Sequence, residues 1–416
     1  MERISGVNLT KKQYKITDYK KITKSAVDVI VEEKGIFEGF NRIDTEYNLP
    51  MNMIKAYYFI GGRSFTYCTN FHFYECVPGD MVNPVYMGEK VLSAVEIISN
   101  GQRKILFAGE KGKALLVSSN GREEINTLPE VNALAVFNGR LFAASKNSVY
   151  FFAPFDFPTN STLLTGGGIL NVSSAAGEVV GFYEQNKKLY IICEHLIYRL
   201  TALGEGIEFT LEKVDAPYID VKKHTVKAIF NKCVFISGNK LCILDDERLI
   251  EKGGFIKGLN IDKLGVAARI DGSYLLPVRT TENKSYIYAY GVEDESESFI
   301  KTDCLAVSDQ GYLPDYNCVI KLDLTSGSNS NGVWQSDNLT FNTLCDKTLL
   351  EIFAFVSAKC TLTVRGACGV KKFTLKKGYN RRKLNFNSRA YSFSIEQKES
   401  SFSITDLRFT YTVRGE

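Results

Sequence analysis

The chain has 416 residues, of which 44% are apolar and 12% are aromatic, and its formal net charge is +4. This length and apolar content allow two or more domains with cores of their own and exclude a disordered chain. A net charge this small does not by itself indicate a nucleic-acid or membrane partner, so such a partner must meet a local patch.

The sequence shows neither a signal-peptide core near its first residue nor a later stretch approaching the ~18 apolar residues of a membrane span. We therefore expect no membrane span and synthesis in a cytoplasm. The ten cysteines are scattered through apolar strands and form no Cys-x-x-Cys pair. This pattern predicts a reducing compartment and buried thiols.

Residues 1–50 are polar and rich in lysine, and they include one short amphipathic stretch, Ala26–Glu32. This composition predicts an N-terminal docking arm over residues 1–50. Its candidate docking residues are Lys11, Lys12, Lys15, Lys20, Lys21 and Lys24.

Residues 51–324 repeat one pattern, in which apolar strands are separated by tight polar turns. The clearest copy runs from Val131 to Phe152, and its turn residues Asn138 and Gly139 suit a hairpin. The middle strands start roughly 37 to 47 residues apart, which is the period expected of propeller blades. We predict a β-propeller with five or six recognisable blades. Alternation within single strands also suits a β-sandwich, but tandem repetition favours the propeller.

A change of composition at Thr325–Gly332 predicts a flexible linker over residues 325–333. Beyond it, short alternating strands such as Leu350–Val356 and Leu407–Val413 predict a small C-terminal β-sandwich over residues 334–416. Helix signals are almost absent, so the predicted fold class is all-β.

The sequence contains few candidates for catalytic or metal chemistry. Gly166–Gly168 lacks the Lys-Ser/Thr that follows a phosphate-binding loop. Asp245–Glu247 could bind a hard cation, but it follows a strand and is typical of a turn. Cys68, His72 and Cys76 form a cluster within a strand-like run, for which core packing is the simpler interpretation. His195 and His224 have no evident partner in the sequence. We predict no catalytic residue, no metal site and no cofactor.

A second basic cluster surrounds a predicted hairpin of the C-terminal domain. Such side chains contact phosphates without reading sequence, so the cluster is a candidate DNA-facing or docking patch. The alternative is exposed charge that keeps edge strands soluble. The residues are Lys371, Lys372, Lys376, Lys377, Arg381, Arg382 and Lys383.

Three stretches resemble the tail-associated β-propeller proteins of tailed bacteriophages, a group that includes tail nozzles and head-to-tail completion proteins. Gly39–Pro50 is similar to the segment that precedes their first blade. Ala133–Phe142 with Val149–Asp156 resembles one of their blades, and Arg389–Ile395 with Phe402–Tyr411 resembles their closing strands. The chain lacks the platform insertion and the greater length of many nozzle proteins.

The resemblance implies a structural virion component of the tail or head-to-tail assembly, forming an oligomeric ring around the DNA path. It implies portal, adaptor or tail subunits as partners, a homo-oligomeric state and non-specific DNA contact. The expected location is the virion tail, after synthesis in the bacterial host cytoplasm. The alternative is a propeller binding module that recognises a cell-surface carbohydrate or another ligand.

Overall fold

The computed structural model describes most of the chain. The described residues are 11–38, 41–48, 54–60, 62–68, 72–77, 80–86, 89, 91–99, 101–109, 111–119, 121–125, 128–154, 167–203, 208–252, 260–302, 305–315, 318–323, 331–398 and 402–413. The chain forms two compact units. The terminal unit comprises Met1–Ile43, Tyr288–Lys301 and Leu322–Glu416, and the central unit comprises Asp44–Ile287 and Thr302–Lys321.

Strands account for nearly all regular structure in the described residues, which confirms the all-β prediction. The elements in chain order are β1 Lys11–Lys15, α1 Tyr19–Ile22, β2 Thr23–Val27, β3 Val29–Glu32, β4 Gly35–Glu38, β5 Asn41–Asn48, β6 Ile54–Ile60, β7 Arg63–Cys68, β8 His72–Val77, β9 Asp80–Tyr86, β10 Val91–Ser99, β11 Gln102–Gly109, β12 Ala114–Ser118, β13 Gly121–Ile125, β14 Ala133–Phe137, β15 Arg140–Ser145, β16 Ser148–Phe151, β17 Gly168–Asn171, β18 Val179–Gln185, β19 Lys188–Cys193, β20 Ile197–Leu203, β21 Glu208–Lys213, β22 Lys227–Ile229, β23 Lys232–Ser237, β24 Lys240–Asp245, β25 Arg248–Lys252, β26 Ile261–Leu264, β27 Ala268–Ile270, β28 Ser273–Thr280, β29 Ser285–Gly291, β30 Glu297–Thr302, β31 Tyr312–Asp315, β32 Cys318–Asp323, β33 Val333–Ser336, β34 Lys347–Val356, β35 Cys360–Gly366, β36 Gly369–Leu375, β37 Gly378–Ser388, β38 Ser392–Gln397 and β39 Ser403–Val413. Short 3-10 turns cover Ser174–Ala176 and Asp309–Gly311.

The central unit contains five consecutive four-stranded antiparallel sheets, β6–β9, β10–β13, β14–β17, β18–β21 and β22–β25. Strands joined by tight turns pair with their chain neighbours, as the repeated pattern predicts. In the turn between β14 and β15, Asn138 has φ 50° and Gly139 has φ 68°. Two successive residues with positive φ match the twist of a hairpin, which is why this turn needs Asn-Gly.

In four of these sheets the second strand, which is β11, β15, β19 or β23, is buried on both faces. On β15, Phe142 packs into the cluster shared with the next sheet, whereas Leu141 packs into the cluster shared with the preceding sheet. On β19, Leu189 and Tyr190 divide between two clusters in the same way. A strand buried on both faces is apolar at successive positions, which explains the continuous apolar runs of the repeats.

The first strands of the sheets contact one another in chain order, from β6 through β10, β14, β18 and β22 to β27. The turn Asp309–Gly311 contacts both β27 and β6, and β31 also contacts β6, so the circle of contacts closes. Strand β5, which precedes the first sheet, pairs with β32, which follows the last, in a three-stranded sheet with β31. The circle of sheets is therefore closed by pairing between strands that are far apart in the sequence.

The terminal unit is built from both ends of the chain. Its strands pair in the order β36, β35, β38, β33, β2, β30, β3, β4, β39, β34 and β37, and β1 pairs with β39. Strand β1 is antiparallel to β39 over five residues, from Lys11 opposite Thr412 to Lys15 opposite Arg408. Strand β2 is antiparallel to β33, with Ala26 opposite Trp334.

Aromatic side chains form the core of the terminal unit. Phe393 on β38 and Phe409 on β39 have ring centroids 4.5 Å apart, and Phe341 stacks on Phe409 at 5.2 Å. The buried Trp334 lies 6.3 Å from Tyr19 and donates a 2.8 Å hydrogen bond from Nε1 to Oγ1 of Thr23. The N-terminal segment therefore completes this core.

The structure divides the chain differently from the predicted segments 1–50, 51–324, 325–333 and 334–416. Strands β1 to β4 belong to the same unit as the C-terminal strands, because the amphipathic β1 covers an edge of β39 and the Tyr19 side chain is buried beside Trp334. Tyr288–Lys301 also joins the terminal unit. Most of the predicted linker lies outside the described residues.

We expect Tyr19→Ala to destabilise the terminal unit. Tyr19 is 1% exposed, and truncation of a buried aromatic side chain costs about 3–5 kcal/mol. Trp334 is the single tryptophan of the chain, so its emission during denaturant unfolding reports on this core directly. Lys21→Ala is the matched control in the same segment, because the Lys21 side chain is 84% exposed. Equal unfolding midpoints for the two variants would contradict the packing described.

We expect cysteine labelling to follow burial. Burial raises the pKa of Cys193 to about 12 and that of Cys242 to about 11, so both remain unreactive thiols near pH 8. Cys368 is exposed. Iodoacetamide followed by peptide mass spectrometry should modify Cys368 in the native protein and Cys193 and Cys242 only in denaturant. Rapid native labelling of Cys242 would argue against the buried position.

Candidate functional site

One outer sheet face of the terminal unit gathers cations from three strands. We call this surface, made by the outward residues of β1, β39, β34 and β37, the basic face. Its cations are Lys11, Lys15, Arg381, Lys383 and Arg408, all of them exposed. The pairing register alone brings them together, because Lys11 and Arg408 lie near opposite ends of the chain.

The register sets the cations in rows across the four strands. From β1 to β37, one row reads Lys15, Arg408, Phe353 and Arg381. The next row reads Gln13, Thr410, Glu351 and Lys383, and a further row reads Lys11, Thr412, Thr348 and Asn387. Cations therefore lie on both sides of β34.

Two carboxylates accompany the five cations and lie deeper. Arg381 donates 2.8 Å and 2.9 Å hydrogen bonds to Glu351, and Arg408 pairs with Asp406 at 2.7 Å. The side chains of Glu351 and Asp406 are 18% and 19% exposed, whereas those of Arg381 and Arg408 are 62% and 51% exposed. Because the cations project past the acids, positive charge dominates what a partner meets.

The carboxylate of Asp406 also favours the charged form of the Arg408 guanidinium. The hydrogen bond to Asp406, supported by its negative charge, raises the pKa of Arg408. The Lys15 ammonium lies 3.8 Å from the same carboxylate. Asp406 therefore orients two cations of the basic face without removing their charge.

Aromatic rings lie among these cations. The Arg381 guanidinium lies 5.3 Å from the ring centroid of Phe353, and the rings of Phe355 and Tyr379 are 4.9 Å apart. Tyr379 is 84% exposed. Two of the three rings are thus already covered by a neighbouring side chain.

The residues of the predicted C-terminal patch lie in four places: on the basic face, on the inner side of β36 and β37, on the outer side of β36, and in the turn between these two strands. Arg381 and Lys383 lie on the basic face. Lys371 and Arg382 point inward, where Lys371 binds the carbonyl of Leu384 and Arg382 donates a 2.9 Å hydrogen bond to the carbonyl of Thr374.

The remaining three patch residues, Lys372, Lys376 and Lys377, are exposed and lie outside the strands that form the basic face. Lys372 alternates with the inward Lys371 on β36, whereas Lys376 and Lys377 occupy the turn between β36 and β37. The patch is therefore not one continuous surface.

The six lysines of the predicted arm also separate. Lys11 and Lys15 join the basic face, and Lys12 lies opposite the buried Tyr411 on the other side of β1. The other three are Lys20, which pairs with Glu295 at 3.3 Å, Lys21, which pairs with Asp18 at 3.4 Å, and the exposed Lys24.

Sequence reasoning missed Arg408, the cation that links the two clusters. Arg408 stands between the buried Leu407 and Phe409, and that alternation places it on the outer side of a strand. The alternation was visible in the sequence. The pairing of β1 with β39 was not, because it joins residues about 400 positions apart.

The central unit has a cavity of about 390 Å³, lined by the first strands of successive sheets. Lys227 pairs with Asp309 at 2.7 Å, and the backbone N–H of Arg269 donates a 3.1 Å hydrogen bond to the same carboxylate. Asn132 and His224 also line the cavity. Asp309 thus joins β22 and β27 to the turn that closes the circle.

The other candidate residues lie in ordinary structural settings or outside what is described. Asp246 accepts a 2.6 Å hydrogen bond from Tyr190, and Glu247 pairs with Arg199, so these acids connect two successive sheets. His195 stacks on Tyr218 at 4.9 Å. The side chains of Cys68, His72 and Cys76, and residue 166, lie outside the described part of the chain.

The described residues contain no group of three or more His, Cys, Asp or Glu side chains arranged to hold a metal ion. Within the same ranges, no helix has the length and hydropathy required to cross a membrane.

Neither a protein-family model nor a curated protein matches the chain. Solved structures are similar at low identity. A chain of the Mitotic Checkpoint Complex has a TM-score of 0.41 at 11% identity, over 68% of this chain and 92% of that one. The computationally designed Ika8 protein has a TM-score of 0.40 at 9% identity, over 87% and 99%. BBS1N, solved in complex with ARL6DN, has a TM-score of 0.38 at 11% identity, over 71% and 87%.

We expect Asp309→Ala to destabilise the central unit by about 1–2 kcal/mol, because it removes hydrogen bonds to a charged group that is only partly exposed. Chemical denaturation followed by circular dichroism measures this loss. Asp220→Ala is the matched control, since Asp220 pairs with Lys222 at the surface with 54% of its side chain exposed. A loss for the control as large as that for Asp309→Ala would count against a special role for Asp309.

Proposed function

We propose that the central unit is a β-propeller with seven innermost strands, β6, β10, β14, β18, β22, β27 and β31. Residues of the first six strands and of the segment 305–309 line the cavity. The closed circle of contacts and the pairing of β5 with β32 support this architecture. A circular repeat protein can protect its first and last sheets when a strand from the start of the repeat region pairs with a strand from its end. In this proposal the three-stranded sheet of β5, β31 and β32 counts as a further blade, beyond the five or six recognisable in the sequence.

We further propose that the terminal unit is a β-sandwich. The contact between Phe393 and Phe409 supports two facing layers, and so does the reach of Arg382 from β37 to the carbonyl of Thr374 on β36. In this arrangement the basic face is the outer surface of one layer.

The function that we propose is a non-catalytic, structural component of a tailed-bacteriophage virion, located in the tail or head-to-tail assembly. The observation that carries the proposal is the basic face, where five exposed cations project past two carboxylates. A virion protein next to the DNA path meets a dense line of phosphates, which such a surface complements. The resemblance of three sequence stretches to phage tail propellers supports the same assignment.

In this proposal the chain forms a homo-oligomeric ring around the DNA path, held by contacts with portal, adaptor or tail subunits. Head-to-tail contacts between identical copies close into a ring when the rotation between neighbours closes. The propeller serves as the rigid body that carries those contacts.

The test is the presence and oligomeric state of the protein in particles. Purified phage from the encoding host should contain the chain in a fixed, multiple copy number by quantitative mass spectrometry, and deletion of its gene should leave particles without complete tails. Free protein should form a symmetric oligomer in mass photometry at raised concentration. Absence from particles, with intact tails after gene deletion, would refute the proposal.

The cavity favours a second candidate function, that of a binding module for a cell-surface carbohydrate or another small ligand. Its volume of about 390 Å³ lies in the range of ligand sites, and Phe182, Asn132 and Arg269 offer an apolar surface with hydrogen-bonding groups. A glycan array distinguishes the two functions: specific signal that Arg269→Ala abolishes supports this candidate, whereas a blank array counts against it.

A further inference from the structure

We propose that the basic face is a contact surface for the phosphodiester backbone of double-stranded DNA. The inference rests on the proposed function, because it names the surface that the DNA meets. Its foundation is the juxtaposition of cations from β1, β39 and β37, which the strand register places on one side of one sheet.

The cations form two lines that run along the strands. Lys11, Lys15 and Arg408 make one line on β1 and β39, and Arg381 and Lys383 make the other on β37. Neighbouring strands are about 4.8 Å apart, so β1 and β37 are separated by about 14 Å. The major groove of DNA is about 12 Å wide, so the two lines match phosphates on opposite sides of one groove.

The chemistry of the face suits phosphate contact without base reading. The Arg381 guanidinium offers several donors in a plane, and Lys383 and Lys15 add ammonium groups on long side chains. The acids beneath them, Glu351 and Asp406, hold the guanidiniums in place and are less exposed. Contacts of this kind position DNA and carry no sequence preference.

The aromatic residues favour duplex over single-stranded DNA. A single-strand platform needs successive free rings on which bases stack. On this face Phe353 is covered by Arg381, and Phe355 is packed against Tyr379. Tyr379 alone is left with most of its surface exposed. The cations therefore supply the contact.

The experiment compares two triple variants of the full chain with equal net charge. The face variant carries Lys15→Gln, Arg381→Gln and Lys383→Gln. The control variant carries Lys372→Gln, Lys376→Gln and Lys377→Gln, which removes three charges outside the basic face. Fluorescence anisotropy with a labelled 30-base-pair duplex of arbitrary sequence measures affinity between 50 and 200 mM salt.

We expect the wild type to bind with a strong salt dependence. The face variant should bind at least about tenfold more weakly, and its log–log salt slope should fall by about 3, one for each phosphate contact removed. The control variant should stay within about twofold of wild type. An absence of wild-type binding, an unchanged face variant, or an equal loss in both variants would each overturn the proposal.

Two further variants keep the test decisive. Glu351→Gln removes a negative charge from the face and should strengthen duplex binding, which a folding defect would not do. Tyr379→Ala should leave duplex affinity within about twofold, because no base is stacked. Tighter binding of a single strand of equal length, lost in Tyr379→Ala, would overturn the duplex assignment. Trp334 emission verifies the fold of every variant.

The DNA assay and the particle assay can fail separately. A chain that is present in particles but does not bind duplex DNA overturns the assignment of the basic face and leaves the proposed function standing. A chain that binds duplex DNA but is absent from particles overturns the proposed function instead.

Discussion

The constraint on which the central unit depends is that the second strands of four successive sheets, β11, β15, β19 and β23, are apolar on both faces. Leu141 and Phe142 are neighbours in sequence, yet they pack into cores on opposite sides of the same sheet. Each such sheet must be covered by another on either side, so a linear row would leave two apolar faces exposed. The circle of first-strand contacts, tied by β5 and β32, removes both ends.

In the terminal unit an edge of strand β39 also has to be covered, and strands from the start of the chain cover it. Strand β39 pairs with β34 along one side, and β1 and β4 cover different stretches of its other side. Without β1, the backbone groups of residues 408–412 would lack strand partners on that side, which invites pairing with another chain. The same pairing brings Lys11 and Lys15 beside Arg408, so edge protection and the basic face have one structural origin.

Local patterns in the sequence predict much of this fold, and pairings between distant segments are what they cannot predict. The hairpin at Asn138 and Gly139 follows from turn chemistry, and the run Leu189–Cys193 follows from two-sided burial. The partner of β1 does not follow, because a five-residue amphipathic strand fits many edges. The sequence therefore predicts two separate lysine clusters. It does not predict that Lys371 and Arg382 point inward, because that depends on how β36 and β37 pack against each other.

Two physical explanations compete for the cations of the basic face. Charges on edge strands keep a sheet soluble, and β1 and β37 are both edges in the described strand order, so Lys11, Lys15, Arg381 and Lys383 alone would fit that role. Arg408 does not fit it, because β39 is an interior strand with neighbours on both sides. A cation there protects no edge, yet it completes the line of positive charge opposite Arg381. The interior position of Arg408 therefore favours a surface that meets a polyanion over one that only prevents aggregation.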